Sequence, residues 1–350
     1  MTTFSAEIHI DFSIIKENIS LLKNQISNTT KFLAVIKADA YGHTLGSFVK
    51  NLDGYINGFA VVRIEEALEI RKISSQPILL MQGIYTDEEA EIAKKNNFTC
   101  VIHNINQLEI YKNHLLHKSV WIKLNTGMNR LGFVDSELDH LSEFLNRDNV
   151  LMTHLASAED PNNPSNYKQI ELFNNIHSLY PHLKRSILNS AGVMHFPEHS
   201  YEWVRCGIGM YGGLPAFPLL KTAVRFRSKV IGIRKLKQGD AVGYGGRVTA
   251  KSDKTIALVY CGYADGFPQS ALDGTKVMIN HQEATIYGQV SMDLLTIDIS
   301  KCQNIRFGDW CDFWSPELSI NENALFNNLI SYELMNRVDP RVKRVIYENN

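Results

Sequence analysis

A lysine placed where an apolar strand runs out is the first group in this chain with the means to do chemistry. Phe32-Leu-Ala-Val-Ile-Lys-Ala-Asp-Ala-Tyr-Gly-His43 passes from an apolar segment, Leu33 to Ile36, straight into Lys37, then into small residues and a glycine. Such an uninterrupted apolar run reads as a strand covered on both faces. An ammonium pressed against that strand end loses hydration, which lowers its pKa and makes it a nucleophile toward carbonyls. A lysine that snorkels from the strand end into water fits the same residues. Two later stretches bear on the choice. Asn189-Ser-Ala-Gly-Val193 offers a hydroxyl and then small residues that let backbone N–H groups approach an anion. Arg205-Cys-Gly-Ile-Gly-Met-Tyr-Gly212 leaves the amides of Gly207 and Ile208 open to phosphate oxygens. An amine for an aldehyde and a nest for a phosphate together suggest a pyridoxal phosphate site.

The elements that must position these groups alternate along the chain. Glu7 to Phe12 reads as a half-buried strand, and Ser13 fits an N-cap before a helix with Ile15, Ile19, Leu22 and Ile26 on one face. After the strand ending at Lys37, apolar segments follow at Phe59–Val62, Ile78–Met81, Phe98–Ile102, Val120–Leu124, Val150–Leu155, Ile187–Leu188 and Trp203–Tyr211. Most gaps carry a helical period. Thr86-Asp-Glu-Glu89 is a capping box before Ile92, and Asn166 to Leu179 places Ile170, Phe173 and Ile176 on one face. Eight βα units predict a closed parallel TIM-like barrel over residues 11–222, whose active site belongs at the C-terminal strand ends.

From about Ala223 the texture changes. Val224 to Ile233, Thr255–Tyr260, Lys276–Ile279, Thr285-Ile-Tyr and Leu295–Ile299 read as short strands, with helical spacing returning only at Glu322–Ile330. A mostly β domain over 223–350 follows, with residues 6–10 as a candidate extra strand.

Bulk properties narrow the partners. A net charge of −1 over 350 residues argues against nucleic acid or an anionic membrane as the main partner. No apolar run approaches the about 20 residues a span needs. The opening residues carry no secretory pattern, and the five cysteines show no metal spacing. The expectation is a cytoplasmic protein with reduced thiols and no bound metal.

Val35-Ile-Lys-Ala-Asp-Ala-Tyr-Gly-His43 resembles the cofactor-attachment motif of the alanine racemases. The match continues through Lys123-Leu-Asn-Thr-Gly-Met-Asn-Arg-Leu-Gly132, Thr153-His-Leu-Ala156, Asn189-Ser-Ala191, Val204-Arg-Cys-Gly-Ile208 and Met210-Tyr-Gly212. It resumes with Val242-Gly-Tyr-Gly245, Gly262-Tyr-Ala-Asp-Gly266, Ser291-Met-Asp293 and Ile330-Ser-Tyr332. The order is kept over nearly the whole length.

That resemblance implies a pyridoxal-phosphate-dependent isomerase that interconverts L- and D-alanine and supplies D-alanine for peptidoglycan. Lys37 would hold the cofactor and act as the base on one face of the α-carbon, with Tyr263 as the second base on the other. A phenol is a poor base, since ionising it at pH 7 is uphill by about 4 kcal/mol. The family sets His154 beside the tyrosine and Arg205 beyond it, where a cation stabilises phenolate. Read without the motif, His154 is a hydrogen-bonded core histidine at a strand end. Arg205 would face the ring nitrogen, and a guanidinium cannot hold that nitrogen protonated as a carboxylate does. Tyr41, Ser190, Gly207, Ile208 and Tyr332 would contact the phosphate. Arg130 and the Met292 N–H would meet the substrate carboxylate. Lys123 matches a position that is often carbamylated, with an ordinary paired lysine as the alternative. Tyr263 and Met292 would serve the other subunit of a homodimer with shared active sites.

The chain departs from the family at Gln289, where many members carry arginine, and at Ser291, which replaces a cysteine. Loss of a cation there leaves room for a broader-specificity amino acid racemase. A non-catalytic pyridoxal phosphate carrier of the single-barrel type would lack the β domain that holds Gly262-Tyr-Ala-Asp-Gly266.

Overall fold

The computed structural model describes residues 4–116, 118–144 and 149–347, so the last three residues of the expected β domain lie outside the described residues. Contacts divide the chain into two units. One comprises Ile19–Ala40 and Thr44–Gly209; the other comprises the described parts of Met1–Asn18, Tyr41–His43 and Met210–Asn350.

Strand β1 (Glu7–Asp11) belongs to the second unit. The helix that follows, Phe12–Lys23, starts one residue before the Ser13 cap expected from sequence. Asp11 Oδ1 accepts from the N–H groups of Ser13 at 2.9 Å and Ile14 at 3.3 Å. A carboxylate at the positive helix end outcompetes the neighbouring hydroxyl for those donors.

The first unit is built on eight parallel strands. They are β2 (Lys31–Val35), β3 (Gly58–Val61), β4 (Ile78–Leu80), β5 (Thr99–Ile102), β6 (Val120–Lys123), β7 (Val150–Met152), β8 (Lys184–Ser186) and β9 (Trp203–Cys206). Each pairs with the next through β8, and β2 also pairs with β9. Between β8 and β9 the Ser186 hydroxyl donates to the Trp203 carbonyl at 2.8 Å, and the Arg205 N–H to the Leu188 carbonyl at 3.0 Å. Those bonds close the ring. Leu33, Val35, Ala60, Leu79, Val101, Trp121, Val150 and Met152 fill its interior. Burial of each large side chain there stabilises the fold by about 1.5–3 kcal/mol.

Two strand ends differ from the sequence expectation. The seventh barrel strand lies at Lys184–Ser186, ahead of Ile187–Leu188, because its pairing with Val150–Met152 is made by polar residues. The eighth stops at Cys206, where Gly207 leads into a 3-10 turn over Ile208–Tyr211.

The second unit continues with β10 (Val224–Leu236), β11 (Ala241–Val242), β12 (Val248–Thr249), β13 (Lys254–Val259), β14 (Lys276–Ile279), β15 (Gln282–Ile286), β16 (Leu295–Asp298), β17 (Trp310–Trp314) and β18 (Lys343–Tyr347). Six of these, β10-β13-β16-β15-β14-β17, form a closed ring of antiparallel pairings. A bulge at Val230–Gly232 lets β10 serve three neighbours. Strand β1 pairs antiparallel with β10 and parallel with β18. Strands β17 and β18 and the helix Ser331–Arg337 were not evident from periodicity. Trp310-Cys-Asp-Phe-Trp is buried on both faces and has no alternation to read. Among the described residues, no helix is long and apolar enough to cross a membrane.

The core of this ring is aromatic. Phe313 packs on Phe226 and Phe267 with ring centroids 5.1 Å apart in each pair, and Phe226 lies 4.8 Å from Trp314. All four rings are buried. Phe313→Ala therefore leaves a void, with an expected loss of about 3–5 kcal/mol. A fall in the urea midpoint checks it; an unchanged midpoint contradicts the packing.

Candidate active site

Lys37 opens an unusual turn. Lys37–Gly42 is helical, yet Ala38, Asp39, Ala40 and Tyr41 have φ between 52° and 58°. Four successive L-residues thus sit in the left-handed region, at about 1–2 kcal/mol each. Within the first unit, Glu66 and Asp39 offset part of that cost. Glu66 accepts from the Ala38 N–H at 2.6 Å through one oxygen, and from the Val62 and Arg63 N–H groups at 3.1 Å through the other. Asp39 accepts from the Leu45 N–H at 2.6 Å, and the Ala40 N–H donates to the Ile36 carbonyl at 2.9 Å. In the second unit, Arg344 donates twice to the Gly42 carbonyl, at 3.0 and 3.2 Å. The expected strand-end loop is this strained turn, which aims Lys37 from a fixed base. Burial, then the field of Arg130, lowers the Lys37 pKa, against the opposing pull of Glu66.

Around the same mouth stand Lys123, at the end of β6, and Arg130, in the loop that follows. Asn125 Oδ1 accepts from the N–H groups of Gly127 at 3.2 Å and Asn129 at 3.0 Å, which ties that loop to its strand. Lys123 is 8% exposed. Burial first, and then Arg205, Arg130 and Lys37, bring its pKa down to about 8.

Arg205 is buried at the end of β9, and every donor atom of its fork with a described partner is aimed inward. Nη1 donates to Ser186 Oγ at 2.6 Å; Nη2 donates to the Thr153 carbonyl at 2.7 Å and the Ile187 carbonyl at 3.4 Å. The same Nη2 faces His154 Nδ1 at 3.3 Å. A guanidinium only donates, so Nδ1 is the acceptor and the neutral ring carries its proton on Nε2. Burial, and then the cations Arg205, Lys123, Arg130 and Lys37, push the His154 pKa down to about 3. His154 is therefore a neutral donor with a cation behind it. Gln169 fixes its backbone by donating to the His154 carbonyl at 3.0 Å and accepting from the Ala156 N–H at 2.9 Å.

Ser190 begins the helix Ser190–His195, capped by Asn189, whose Oδ1 accepts from the Gly192 N–H at 2.8 Å. The Ser190 hydroxyl accepts from the N–H groups of Gly207 at 3.0 Å and Gly209 at 3.2 Å. Residue 209 must be glycine, since a Cβ there would lie 2.9 Å from the Ser190 Cβ. The amides of Gly207 and Gly209 thus converge on the Ser190 hydroxyl, with Ile208 between them in the chain.

In the second unit, the Tyr41 ring lies 6.0 Å from that of Tyr332 and 5.2 Å from that of Tyr211. Tyr263 begins a 3-10 turn, Tyr263–Asp265. The Tyr263 N–H donates to the Ser291 carbonyl at 3.1 Å, and the Ala264 N–H to the Met292 carbonyl at 3.0 Å. The backbone of both loops is locked, while the side chains of Tyr263 and Met292 are 37% and 53% exposed. Glu66, Gln169 and Ser186 were missed from sequence, because their roles come from pairings 15 to 28 residues away.

A lowered-pKa lysine, a cluster of cations and a hydroxyl-and-amide cradle suit an aldehyde that carries a phosphate. Among the described residues, no group of three or more metal-ligating side chains gathers anywhere. A closed parallel barrel with such a mouth, followed by a β domain, defines a pyridoxal-phosphate-dependent barrel enzyme.

Comparison with known proteins carries this further. Family models for the alanine racemase N-terminal and C-terminal domains match residues 10–215 and 223–346. An alanine racemase of Legionella pneumophila (strain Lens) is 38% identical, over 95% of this chain and 97% of that protein. The alanine racemase structure from Acinetobacter baumannii superposes with a TM-score of 0.94 at 30% identity, covering 99% of this chain and 100% of that one. The Bartonella henselae alanine racemase, solved with covalently bound pyridoxal phosphate, gives a TM-score of 0.89 at 27% identity over 98% and 99% of the two chains. The chain belongs to the alanine racemase family, pyridoxal-phosphate-dependent isomerases.

The low pKa of His154 has a consequence for acid stability. The unfolded chain takes up this proton near the ordinary 6.5, the folded chain only near about 3. Stability contributed by the neutral ring is thus lost as pH falls through that window. His154→Gln should flatten the decline of the urea midpoint between pH 7 and 4. Parallel declines in both proteins would contradict the assignment.

Proposed function

We propose that Lys37 and Tyr263 are the two proton-handling groups of the racemisation, acting on opposite faces of the α-carbon. The observation that carries this reading is the pairing of a lysine with a lowered pKa and a tyrosine that is exposed on a locked backbone. Racemisation needs a proton removed on one face and returned on the other, so one base alone does not suffice.

When bound, pyridoxal phosphate supplies the electron sink that acidifies the α-hydrogen. The chain's own residues do the rest. Lys37 Nζ, as a neutral amine, takes or returns the proton on one face. Tyr263 Oη does so on the other, with the His154 Nε2–H as hydrogen-bond donor to the phenolate and Arg205 as the fixed positive charge behind it. Arg205 would face the ring nitrogen of the bound cofactor, and a guanidinium cannot keep that nitrogen protonated, so the sink would be weak and side reactions that need a long-lived carbanion would be suppressed. Ser190 and the amides of Gly207 and Ile208 would hold the phosphate, and the family resemblance gives the same role to Tyr41 and Tyr332. Arg130 and the Met292 N–H orient the substrate carboxylate.

Lys123 is carbamylated in this reading. Its depressed pKa leaves about a tenth of the amine neutral at pH 7. The Nζ lone pair of the neutral amine attacks the carbon of carbon dioxide: an N–C bond forms, one C–O π bond opens with its pair going to oxygen, and nitrogen loses one proton to solvent. The resulting anion relieves the crowding of Arg205, Arg130 and Lys37 and gives Arg130 an acceptor to align on.

The exposure of Tyr263 and Met292 supports a homodimer in which each supplies the partner's site. The reaction, in the cytoplasm, would provide D-alanine for peptidoglycan. Gln289, at a position where many relatives carry arginine, bears on the side chains accepted beyond alanine.

Two outcomes are expected. Tyr263→Phe loses exchange of the L-alanine α-proton by about 10²–10⁴-fold while that of D-alanine persists; equal losses would refute the two-base assignment. Mixing equal amounts of inactive Lys37→Ala and Tyr263→Phe chains, then refolding, restores about a quarter of wild-type activity. Half the dimers are mixed, and each has one of two sites intact. A mixture that stays inactive argues against shared sites.

A further inference from the structure

Three loops meet within the second unit around one guanidinium. Arg341 Nε donates to Asp265 Oδ1 at 2.9 Å, and Arg341 Nη2 to Asp293 Oδ1 at 2.7 Å. Asp265 closes the turn that begins at Tyr263, and Asp293 directly follows Met292. The arginine therefore bridges two carboxylates on two different loops. A planar fork with fixed donor directions can do this, whereas a single ammonium cannot reach both with the same geometry.

Each end of the bridge is itself anchored. The second oxygen of Asp265 accepts from the Gly262 N–H at 2.9 Å, so the carboxylate caps the turn from inside. The Asp265 carbonyl accepts from the Asp339 N–H at 3.1 Å, and Asp339 Oδ1 accepts from the Arg341 N–H at 2.9 Å. The loops are also too close to shift. A Cβ on Gly262 would lie 2.1 Å from the Met292 carbonyl oxygen, and one on Gly266 2.1 Å from that of Arg337.

We propose that Arg341 is a positioning residue for the reaction, fixing the distance between the Tyr263 hydroxyl and the Met292 N–H by clamping Asp265 to Asp293. The inference rests on the assignment of Tyr263 as a base. Met292 meets the carboxylate and Tyr263 the α-hydrogen of one small substrate, so their separation must hold to well under 1 Å. Backbone bonds alone set the two loops edge to edge. The arginine locks the registry at their far ends.

The consequence is directional. Loosening the clamp weakens proton transfer at Tyr263 and leaves that at Lys37 alone. In the holoenzyme carrying Arg341→Met, the primary isotope effect on kcat/KM with L-[α-²H]alanine should rise toward its full value. With D-[α-²H]alanine it should fall, since the slow step then becomes delivery of a solvent-derived proton by Tyr263. Arg341→Lys, which keeps the charge but reaches one carboxylate, should give an intermediate split. Amide hydrogen exchange at residues 262–265 and 291–293 should quicken about tenfold in Arg341→Met without cofactor as well. Isotope effects unmoved in both directions would overturn the proposal even if kcat falls, because a merely structural role predicts that outcome. If Arg341→Met fails to fold, Asp293→Asn removes one arm and must show the same split at smaller amplitude; no split there also overturns it. Tyr263→Phe serves as the reference. Undiminished L-alanine exchange in that variant removes the base assignment and this inference together. Impaired exchange there, with Arg341 variants unmoved, removes the inference alone.

Discussion

A buried guanidinium whose described partners are a hydroxyl, two carbonyls and an imidazole is the constraint on which the barrel end depends. Moving an ion out of water costs several kcal/mol unless its donors are met. Arg205 meets that demand with the Ser186 hydroxyl and the Thr153 and Ile187 carbonyls, groups that come from the ends of β7 and β8. The strand ends must therefore stay in register for the charge to be tolerated. Among the described residues no carboxylate pairs with it, so its field falls on its neighbours: it lowers the pKa of His154 and that of the unmodified Lys123 amine. Structure and chemistry share one cause here, since the bonds that permit the burial also set the protonation of the site.

The strained turn after Lys37 answers a related problem. A lysine on a flexible loop would keep its rotamer freedom and its hydration. Four left-handed residues instead make the chain leave the strand in one direction, and Glu66, Asp39 and Arg344 hold it there. Glu66 also raises the Lys37 pKa while burial and Arg130 lower it. A carboxylate that steadies the turn thus also limits how far the amine is pushed toward neutrality.

These features divide clearly by what local sequence can express. The strand-end lysine, the two glycine loops and the parallel strands were legible, because each is written in a run of adjacent residues. The closed ring of eight strands followed from their number. The left-handed turn was not legible: Ala38, Ala40 and Tyr41 have no intrinsic bias toward positive φ, and distant partners impose it. Glu66, Gln169 and Arg341 were equally silent, since the partners that give them their roles, Ala38, Ala156 and Asp265, lie 13 to 76 residues away. Strand β17 was lost for the opposite reason, as full burial on both faces erased the alternation that marks a strand.

At Tyr263 and Met292 a fixed backbone carries exposed side chains. A residue that only packs can tolerate motion, and a residue that only faces water has no reason to be fixed. Here the backbone is pinned by two loop-to-loop hydrogen bonds and by the Asp265–Arg341–Asp293 bridge, yet the side chains project from it. In the shared-site reading proposed above, the phenol and the amide must arrive at a partner's surface already spaced. Rigidity in the loop and exposure at its tip are then one requirement, that of a group built to act on something its own fold does not enclose.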